Sequence, residues 1–235
     1  MSELTVVFVH GAFAESSSWG GVISELRQAG HGTIAAANPL RSLSGDAASV
    51  SSLLGSIPGP IVLVGHSYGG AVISNAATGH DNVRALVYVA AFAPLEGESI
   101  FELSGRLPGS TLGDTLDAVP LGDGSVELYI RQDRFHEQFA ADVPAAEAAV
   151  LAATQRPLRD IALREHAGPP AWRSLPSWFV FGDADRNIPV AAHRLMAERA
   201  GAKATVELTG TSHAITISRP GEVAEVITSA IAAVN

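Results

Sequence analysis

The chain of 235 residues is long enough for one α/β domain with an insertion. Its 15 basic and 24 acidic residues give a net charge of −9, which argues against nucleic acid or an anionic membrane surface as a partner. The lack of cysteine excludes disulfides, thiolate metal sites and a cysteine nucleophile. No stretch has the roughly 18 apolar residues of a membrane span, and residues 1–3 carry no basic leader, so we expect a cytoplasmic protein.

Short apolar runs alternate with segments of helical spacing along most of the chain. The apolar runs predict strands over residues 4–9, 33–36, 61–65, 85–90, 178–181 and 205–208. The other segments predict helices over residues 19–29, 44–57, 70–77, 190–200 and 220–234. Ser44 is the expected N-cap of the second helix, and Pro220 suits the first position of the last one. This alternation predicts a doubly wound parallel sheet of about six strands.

Residues 94–176 interrupt the alternation, because they are richer in Gly, Pro, Asp and Glu and have irregular apolar spacing. Two helices are expected in this segment, near 126–139 and 144–154. The preceding strand delivers the segment to the carboxyl edge of the sheet, where ligands bind in open α/β sheets. We therefore predict a cap formed by residues 94–176 over a core formed by residues 1–93 and 177–235. A separate small domain or a loose loop is the alternative.

The sequence GHSYG at residues 65–69 directly follows a predicted buried strand and precedes a predicted helix. A strand, a sharp turn and a helix are the context in which a G-x-S-x-G motif exposes a serine nucleophile. Gly65, Gly69 and Gly70 lack the side chains that would obstruct so tight a turn. The N-terminus of the following helix favours negative charge. Ser67 is therefore the candidate nucleophile.

A serine hydroxyl needs a general base and a group that orients this base. His213 is the best candidate base, because its loop follows the final strand at the carboxyl edge of the sheet. Solvated or structural roles are expected for the other histidines, namely His10, His31, His66, His80, His136, His166 and His193. The loop after strand 178–181 offers Asp183 and Asp185 as the orienting acid. Asp185 is favoured because it lies farther past the strand end, whereas Asp183 suits turn hydrogen bonds.

Acyl transfer also requires backbone N–H groups that are already aimed at the developing oxyanion. The N–H of Tyr68, directly after the nucleophile, is one predicted donor. The N–H of Ala12 is the other, because Gly11 lets the loop after the first strand turn toward the site. His10 is expected to hold this loop in place.

Four motifs at predicted strand ends together resemble the α/β-hydrolase superfamily: VHGAF (9–13), GHSYGG (65–70), GDADRNIP (182–189) and TSHA (211–214). The pattern HGAFAESSSW (10–19) more closely resembles the small esterase group of plant methyl esterases, hydroxynitrile lyases and their bacterial relatives. The resemblance covers the whole core, and only the cap is poorly matched. It implies a catalytic triad in the chain order Ser67, Asp185, His213, and it supports Asp185 over Asp183.

Two positions distinguish the chemistries of this group. The resemblance implies that a lyase would carry a threonine after the histidine of the oxyanion loop and a lysine after the catalytic histidine, to hold cyanide. Those positions are Gly11 and Ala214 here, which disfavours the lyase reaction. Dehalogenases and epoxide hydrolases of the superfamily use an aspartate where this chain has Ser67, so those reactions are disfavoured as well.

The predicted activity is hydrolysis of small to medium neutral carboxylic esters through an acyl-enzyme, without a metal or other cofactor. The resemblance places Phe13 and Trp19 near the acyl pocket, although both residues also suit an ordinary core. Lactone hydrolysis, carbon–carbon bond hydrolysis and a ligand receptor built on a hydrolase frame are the alternatives. The expected partner is a small ester molecule, not nucleic acid or a membrane, and a homodimer is possible.

Overall fold

The computed structural model describes residues 4–234, so residues 1–3, on which the expectation of a missing leader rests, lie outside the described part. The strands are β1 (Thr5–Val9), β2 (Gly32–Ala36), β3 (Ile61–His66), β4 (Val83–Val89), β5 (Leu116–Pro120), β6 (Val126–Ile130), β7 (Leu158–Arg159), β8 (Ser177–Gly182) and β9 (Ala204–Leu208). Six of them form a parallel sheet in the order β2-β1-β3-β4-β8-β9. The predicted α/β fold with six parallel strands is confirmed.

Helices cover both faces of this sheet. The α-helices of residues 4–234 are α1 (Gly20–Gln28), α2 (Leu43–Ser56), α3 (Tyr68–Ala76), α4 (Ile100–Gly105), α5 (Gln132–Phe139), α6 (Ala145–Thr154), α7 (Asp160–Arg164), α8 (Val190–Arg199), α9 (Ile215–Ser218) and α10 (Pro220–Val234), of which α4–α7 belong to residues 94–176 and not to the covering of the sheet. Right-handed crossovers put α1 and α10 together on one face and α2 and α3 together on the other. All six residues of β3 are buried, because helices cover both sides of the strand.

Helix α2 begins one residue earlier than its sequence suggests. The side chain of Ser42 accepts a hydrogen bond from the N–H of Gly45 at 3.1 Å and caps the helix. Ser44 lies in the first turn, where its N–H donates to Glu165 at 3.0 Å. The prediction that Ser44 is the N-cap is therefore wrong, because Ser42, two residues earlier, offers the same capping signal.

The segment of residues 94–176, the inserted segment, contains an antiparallel sheet in the order β5-β6-β7. The prediction of a helix near 126–139 is correct only from Gln132 onward. Residues 126–130 instead form β6, which pairs with β5 across a turn in which Gly124 has a φ of +83°. Val, Leu, Tyr and Ile favour a strand, and the Asp-Gly pair before them is a hairpin signal that the helical interpretation overlooked.

The inserted segment is joined to the core by hydrogen bonds at several places. Within the segment, Trp172 donates from its indole Nε1 to the carbonyl of Pro94 at 3.1 Å and so ties its two ends together. The N–H of Phe13, in the loop after β1, donates to the carbonyl of Arg156 at 3.0 Å. The N–H of Ala214 donates to the carbonyl of Phe139 at 2.9 Å. The last two bonds connect the inserted segment to loops at the carboxyl edge of the parallel sheet. Among the helices of residues 4–234, none is long and apolar enough to cross a membrane.

Candidate active site

Ser67 occupies a strained turn between β3 and α3. Its backbone has φ 55° and ψ −124°, a conformation that a residue with a side chain rarely adopts. The flanking glycines make this turn possible: a Cβ on Gly65 would lie 2.6 Å from the carbonyl oxygen of Gly69, and one on Gly69 would lie 2.4 Å from that of Val9. The turn holds the serine hydroxyl at the carboxyl end of β3, at the start of α3.

The structure brings the three predicted triad residues together. His213, in the loop between β9 and α9, has its Nε2 2.8 Å from the Oγ of Ser67. Its Nδ1 lies 2.7 Å from Oδ2 of Asp185, in the loop after β8. Both the His213 and the Asp185 side chains are completely buried, while Ser67 keeps an exposed fraction of 8%. This is the arrangement in which a histidine can take a proton from a serine while a carboxylate fixes the imidazole.

Asp183 has the turn role expected of it. Its Oδ1 accepts a hydrogen bond from the N–H of Gly210 at 2.6 Å. This contact bridges the loops after β8 and β9. Asp183 is exposed, and Asp185 is the aspartate in contact with His213.

The Asp185 carboxylate is held by hydrogen bonds to both of its oxygens. Oδ1 accepts from the N–H groups of Asn187 at 2.8 Å and Ile188 at 3.0 Å. Oδ2 accepts from His213 and also from Nε2 of His193 at 3.1 Å. Burial alone would raise the pKa of this carboxyl, but attraction to His213 and the hydrogen bonds from both histidines hold it well below its usual range. Asp185 is therefore ionised at neutral pH.

Sequence reasoning missed the contact between His193 and Asp185. The position of His193 within a predicted helix indicates only a solvated or structural role. The available signal was its place on the buried face of that helix, between Ala192 and Met196. A polar ring on an apolar face directly after the loop of the acid needs a hydrogen-bond partner, and Asp185 is eight residues away in sequence.

Two other buried histidines do not act on the serine hydroxyl. His66 donates from Nε2 to the carbonyl of His213 at 3.0 Å, and burial together with repulsion from His213 lowers its pKa to about 3. His10 donates from Nδ1 to the carbonyl of Gly11 at 2.9 Å and accepts at Nε2 from the N–H of Asn38 at 3.1 Å. Burial lowers the pKa of His10 to about 4. Both rings are therefore neutral at pH 7, and His10 holds the loop after β1, as expected.

The loop after β1 lies directly against the nucleophile. A Cβ on Gly11 would come within 2.6 Å of the Ser67 Cβ, so any side chain there requires the two loops to separate. Tyr68 is the first residue of α3, where a backbone N–H has no acceptor within the helix. Ala12 is the next residue of the loop and lines the same cavity as Ser67. The N–H groups of Ala12 and Tyr68 thus remain the candidate oxyanion donors.

A cavity of about 400 Å³ opens next to Ser67. Its wall on the core side includes Ala12, Phe13 and Tyr68. Its opposite wall consists largely of apolar side chains from the inserted segment: Ile100, Phe101, Leu112, Leu116, Val126, Leu128, Leu158 and Leu163. This volume and lining suit a small or medium apolar ligand.

Phe13 and Trp19, the two predicted substrate contacts, lie in different environments. Phe13 lines the cavity beside Ser67. Trp19 does not line it: its side chain is completely buried, with its ring 4.9 Å from the ring of Phe8. Trp19 ends a 3-10 turn before α1 and packs onto β1, so the prediction that it binds substrate is wrong.

Charged groups at the cavity compensate each other. Asp160 and Arg164, one turn apart on α7, form an ion pair at 4.0 Å. The guanidinium of Arg164 also lies 4.6 Å from the centre of the Phe101 ring. Among the described residues that line the cavity, the one cation, Arg164, is paired with a carboxylate, which disfavours selection of an anionic ligand. Within residues 4–234, no group of three or more histidine or carboxylate side chains is arranged to hold a metal ion.

Comparison with known proteins identifies the family. The sequence model described as the alpha/beta hydrolase family matches residues 6–226. The chain belongs to this family. The resemblance drawn from the four motifs is thereby confirmed, and the six-stranded sheet with Ser67 after β3 agrees with it.

Individual relatives of this α/β hydrolase include esterases. A pyrethroid hydrolase from Sphingobium wenxiniae is 26% identical to this chain. The alignment is 255 residues long and covers 97% of this chain and 87% of the relative. A carbendazim hydrolyzing esterase from Nocardioides sp. is 32% identical over 110 residues, which cover 41% of this chain and only 46% of that protein. The crystal structure of an Arabidopsis methylesterase superposes with a TM-score of 0.81 at 18% identity, over 97% of this chain and 99% of that one. At this identity, the structural likeness establishes the fold alone.

Proposed function

We propose that this α/β hydrolase is a serine carboxylic-ester hydrolase that acts on small to medium neutral esters. The main support is the unbroken chain of hydrogen bonds from Ser67 Oγ through His213 to Asp185, at the edge of an apolar cavity. The esterases among the relatives in sequence support ester cleavage as the reaction.

In the acylation step, Ser67 Oγ attacks the ester carbonyl carbon while Nε2 of His213 takes the hydroxyl proton. Asp185 stabilises the imidazolium that results, because its carboxylate is ionised and accepts from Nδ1. The N–H groups of Tyr68 and Ala12 stabilise the oxyanion, each contributing roughly 2.7–4 kcal/mol to lowering the barrier. When the tetrahedral intermediate collapses, the leaving alcohol receives the proton from His213.

The acyl-enzyme is then hydrolysed by the same groups, with water as the nucleophile and Ser67 Oγ as the leaving group. His213, neutral again, takes a proton from water as the water oxygen attacks the acyl carbon. When the second tetrahedral intermediate collapses, His213 returns this proton to Ser67 Oγ and the carboxylic acid is released. No cofactor takes part in either half of this reaction.

The substrate class follows from the cavity. Its apolar walls favour hydrocarbon acyl or alkoxy groups, and the paired charges of Asp160 and Arg164 favour a neutral ligand. A side chain on Gly11 would overlap Ser67, which supports hydrolysis over a lyase reaction that needs a threonine there. We assign the cap to residues 94–176, because the cavity wall opposite Ser67 comes from this segment.

Hydrolysis of p-nitrophenyl acetate, butyrate and octanoate by the wild type and by Ser67→Ala tests this proposal. We expect turnover that depends on chain length in the wild type and a loss of at least about 10³-fold in the variant, because removal of the nucleophile leaves only binding and the oxyanion donors.

Ser52→Ala, at an exposed position on α2, is the matched control for serine removal and is expected to keep wild-type turnover. Undiminished activity in Ser67→Ala would refute the nucleophile assignment. Absence of turnover on all three esters, with intact folding, would contradict the substrate class.

A further inference from the structure

Oδ2 of Asp185 is shared by two imidazole rings. His213 lies 2.7 Å from this oxygen and His193 lies 3.1 Å from it. With the two backbone N–H groups on Oδ1, the carboxylate has four hydrogen-bond partners, two on each oxygen. An ionised carboxylate accepts about this number of bonds, so Asp185 is fully coordinated.

The protonation of His193 follows from its partner. An ionised carboxylate can only accept, so Nε2 of His193 must carry the proton that bonds Oδ2. Nδ1 of His193 is buried and has no hydrogen-bond partner among the described residues. Burial lowers the pKa of His193, which keeps the ring neutral with its single proton on Nε2.

The His193 ring is also fixed in orientation. Its side chain is completely buried, and it stacks on the ring of Phe181 at 4.7 Å with an interplanar angle of 11°. Phe181 belongs to β8, the strand that leads into the Asp185 loop. The ring and the carboxylate are thereby held to the same strand, and His193 does not contact the serine or the cavity.

We propose that His193 is a positioning residue that directs Oδ2 of Asp185 toward His213 by donating a neutral hydrogen bond. This inference rests on the proposed triad of Ser67, His213 and Asp185. A neutral donor suits this role, because a lysine or arginine in its place would cancel the negative charge that stabilises the imidazolium of His213. His193 fixes the carboxylate and leaves its net charge intact.

Two replacements of His193, one that keeps a hydrogen-bond donor and one that does not, distinguish a positioning role from a packing role. His193→Gln retains an amide N–H that can reach Oδ2, whereas His193→Leu has similar volume and no donor. Turnover of p-nitrophenyl butyrate is measured per active site, with active sites counted from the burst of p-nitrophenol. We expect His193→Leu to lower kcat by about 10- to 100-fold with KM within about threefold, and His193→Gln to restore most of kcat. Equal kcat in the two variants overturns the proposal.

A measurement on the wild type covers the case in which His193→Leu does not fold. In protein labelled with ¹⁵N-histidine, NMR at neutral pH should find His193 with its proton on Nε2 and a bare Nδ1. A proton on Nδ1, or on both nitrogens, overturns the proposal. The Ser67→Ala variant distinguishes failure of this inference from failure of the proposed function. If Ser67→Ala is inactive while His193→Leu matches His193→Gln, only this inference fails; if Ser67→Ala is active, the proposed function itself fails.

Discussion

Asp185 and Asp46 are both buried carboxyl groups, yet their pKa values shift in opposite directions. Asp46, on α2, accepts from the hydroxyl of Tyr68 at 2.8 Å and from the N–H of Arg41 at 3.0 Å. Burial outweighs these neutral donors, so the pKa of Asp46 is raised. At Asp185, burial is outweighed by attraction to His213 and by two imidazole donors, so the pKa is lowered.

The comparison shows that burial alone does not decide the charge of a carboxyl group in this protein. Asp185 is bonded to His213, which contacts Ser67, and Asp46 is bonded to Tyr68, the residue after Ser67. Only His213 becomes cationic during the proposed reaction. A carboxylate that stabilises an imidazolium must stay ionised while buried. A carboxyl that only anchors the hydroxyl of Tyr68 has no such requirement.

The largest expected effect is that of Asp185→Asn. An amide cannot stabilise the imidazolium and favours the wrong tautomer of His213, so kcat should fall by about 10⁴-fold. Steady-state hydrolysis of p-nitrophenyl butyrate measures this loss. Asp183→Asn, which changes the neighbouring exposed aspartate in the same loop, is the matched control and should keep kcat within about threefold. The reverse pattern would show that Asp183 is the acid.

The sequence predicted the triad because each of its members follows a strand of one parallel sheet. Carboxyl ends of parallel strands meet at one edge, so Ser67, Asp185 and His213 could be grouped without knowledge of their distances. The role of His193 could not be predicted in this way. It depends on how α8 packs on β8, where the ring stacks on Phe181, and sequence spacing does not encode that contact.

The fold of the inserted segment was harder to predict than that of the core. Parallel strands buried on both faces are continuous apolar runs, as in β3, and these are easily recognised. The strands of the inserted segment are short and partly exposed, and only Arg131 separates β6 from α5, so residues 126–139 suggested a single helix. The position of Trp19 was equally undecided, since a buried aromatic residue fits a core and a pocket alike.

A smaller effect, on stability, is expected for Tyr68→Phe. Loss of the hydroxyl leaves Oδ2 of Asp46 without this donor and should lower the free energy of unfolding at pH 7 by about 1–3 kcal/mol. The loss should be smaller at pH 4. The folded-state pKa of Asp46 lies above its unfolded value and rises further in the variant, so stability is lost as pH rises through the folded-state pKa.

Urea unfolding at pH 4 and pH 7 measures this difference. Tyr88→Phe is the control, because the hydroxyl of Tyr88 bonds the neutral Oγ of Ser74 at 2.8 Å. Its loss of stability should be the same at both pH values. A pH-independent loss in Tyr68→Phe would contradict the link between this hydroxyl and the charge of Asp46.

The smallest effect on activity is expected for Asp46→Asn. The amide can still accept from the N–H of Arg41 and can donate to the Tyr68 hydroxyl, so kcat should stay within about threefold of the wild type. The pH dependence of the free energy of unfolding should change instead. A carboxyl with a raised folded-state pKa favours the folded state only at low pH, so its replacement should remove a decline in the free energy of unfolding as pH rises from 4 to 7. Urea midpoints across this range measure the decline. A loss of kcat as large as that of Asp185→Asn would mean that the charge of Asp46 also serves the reaction, and the contrast between the two carboxyl groups would not hold.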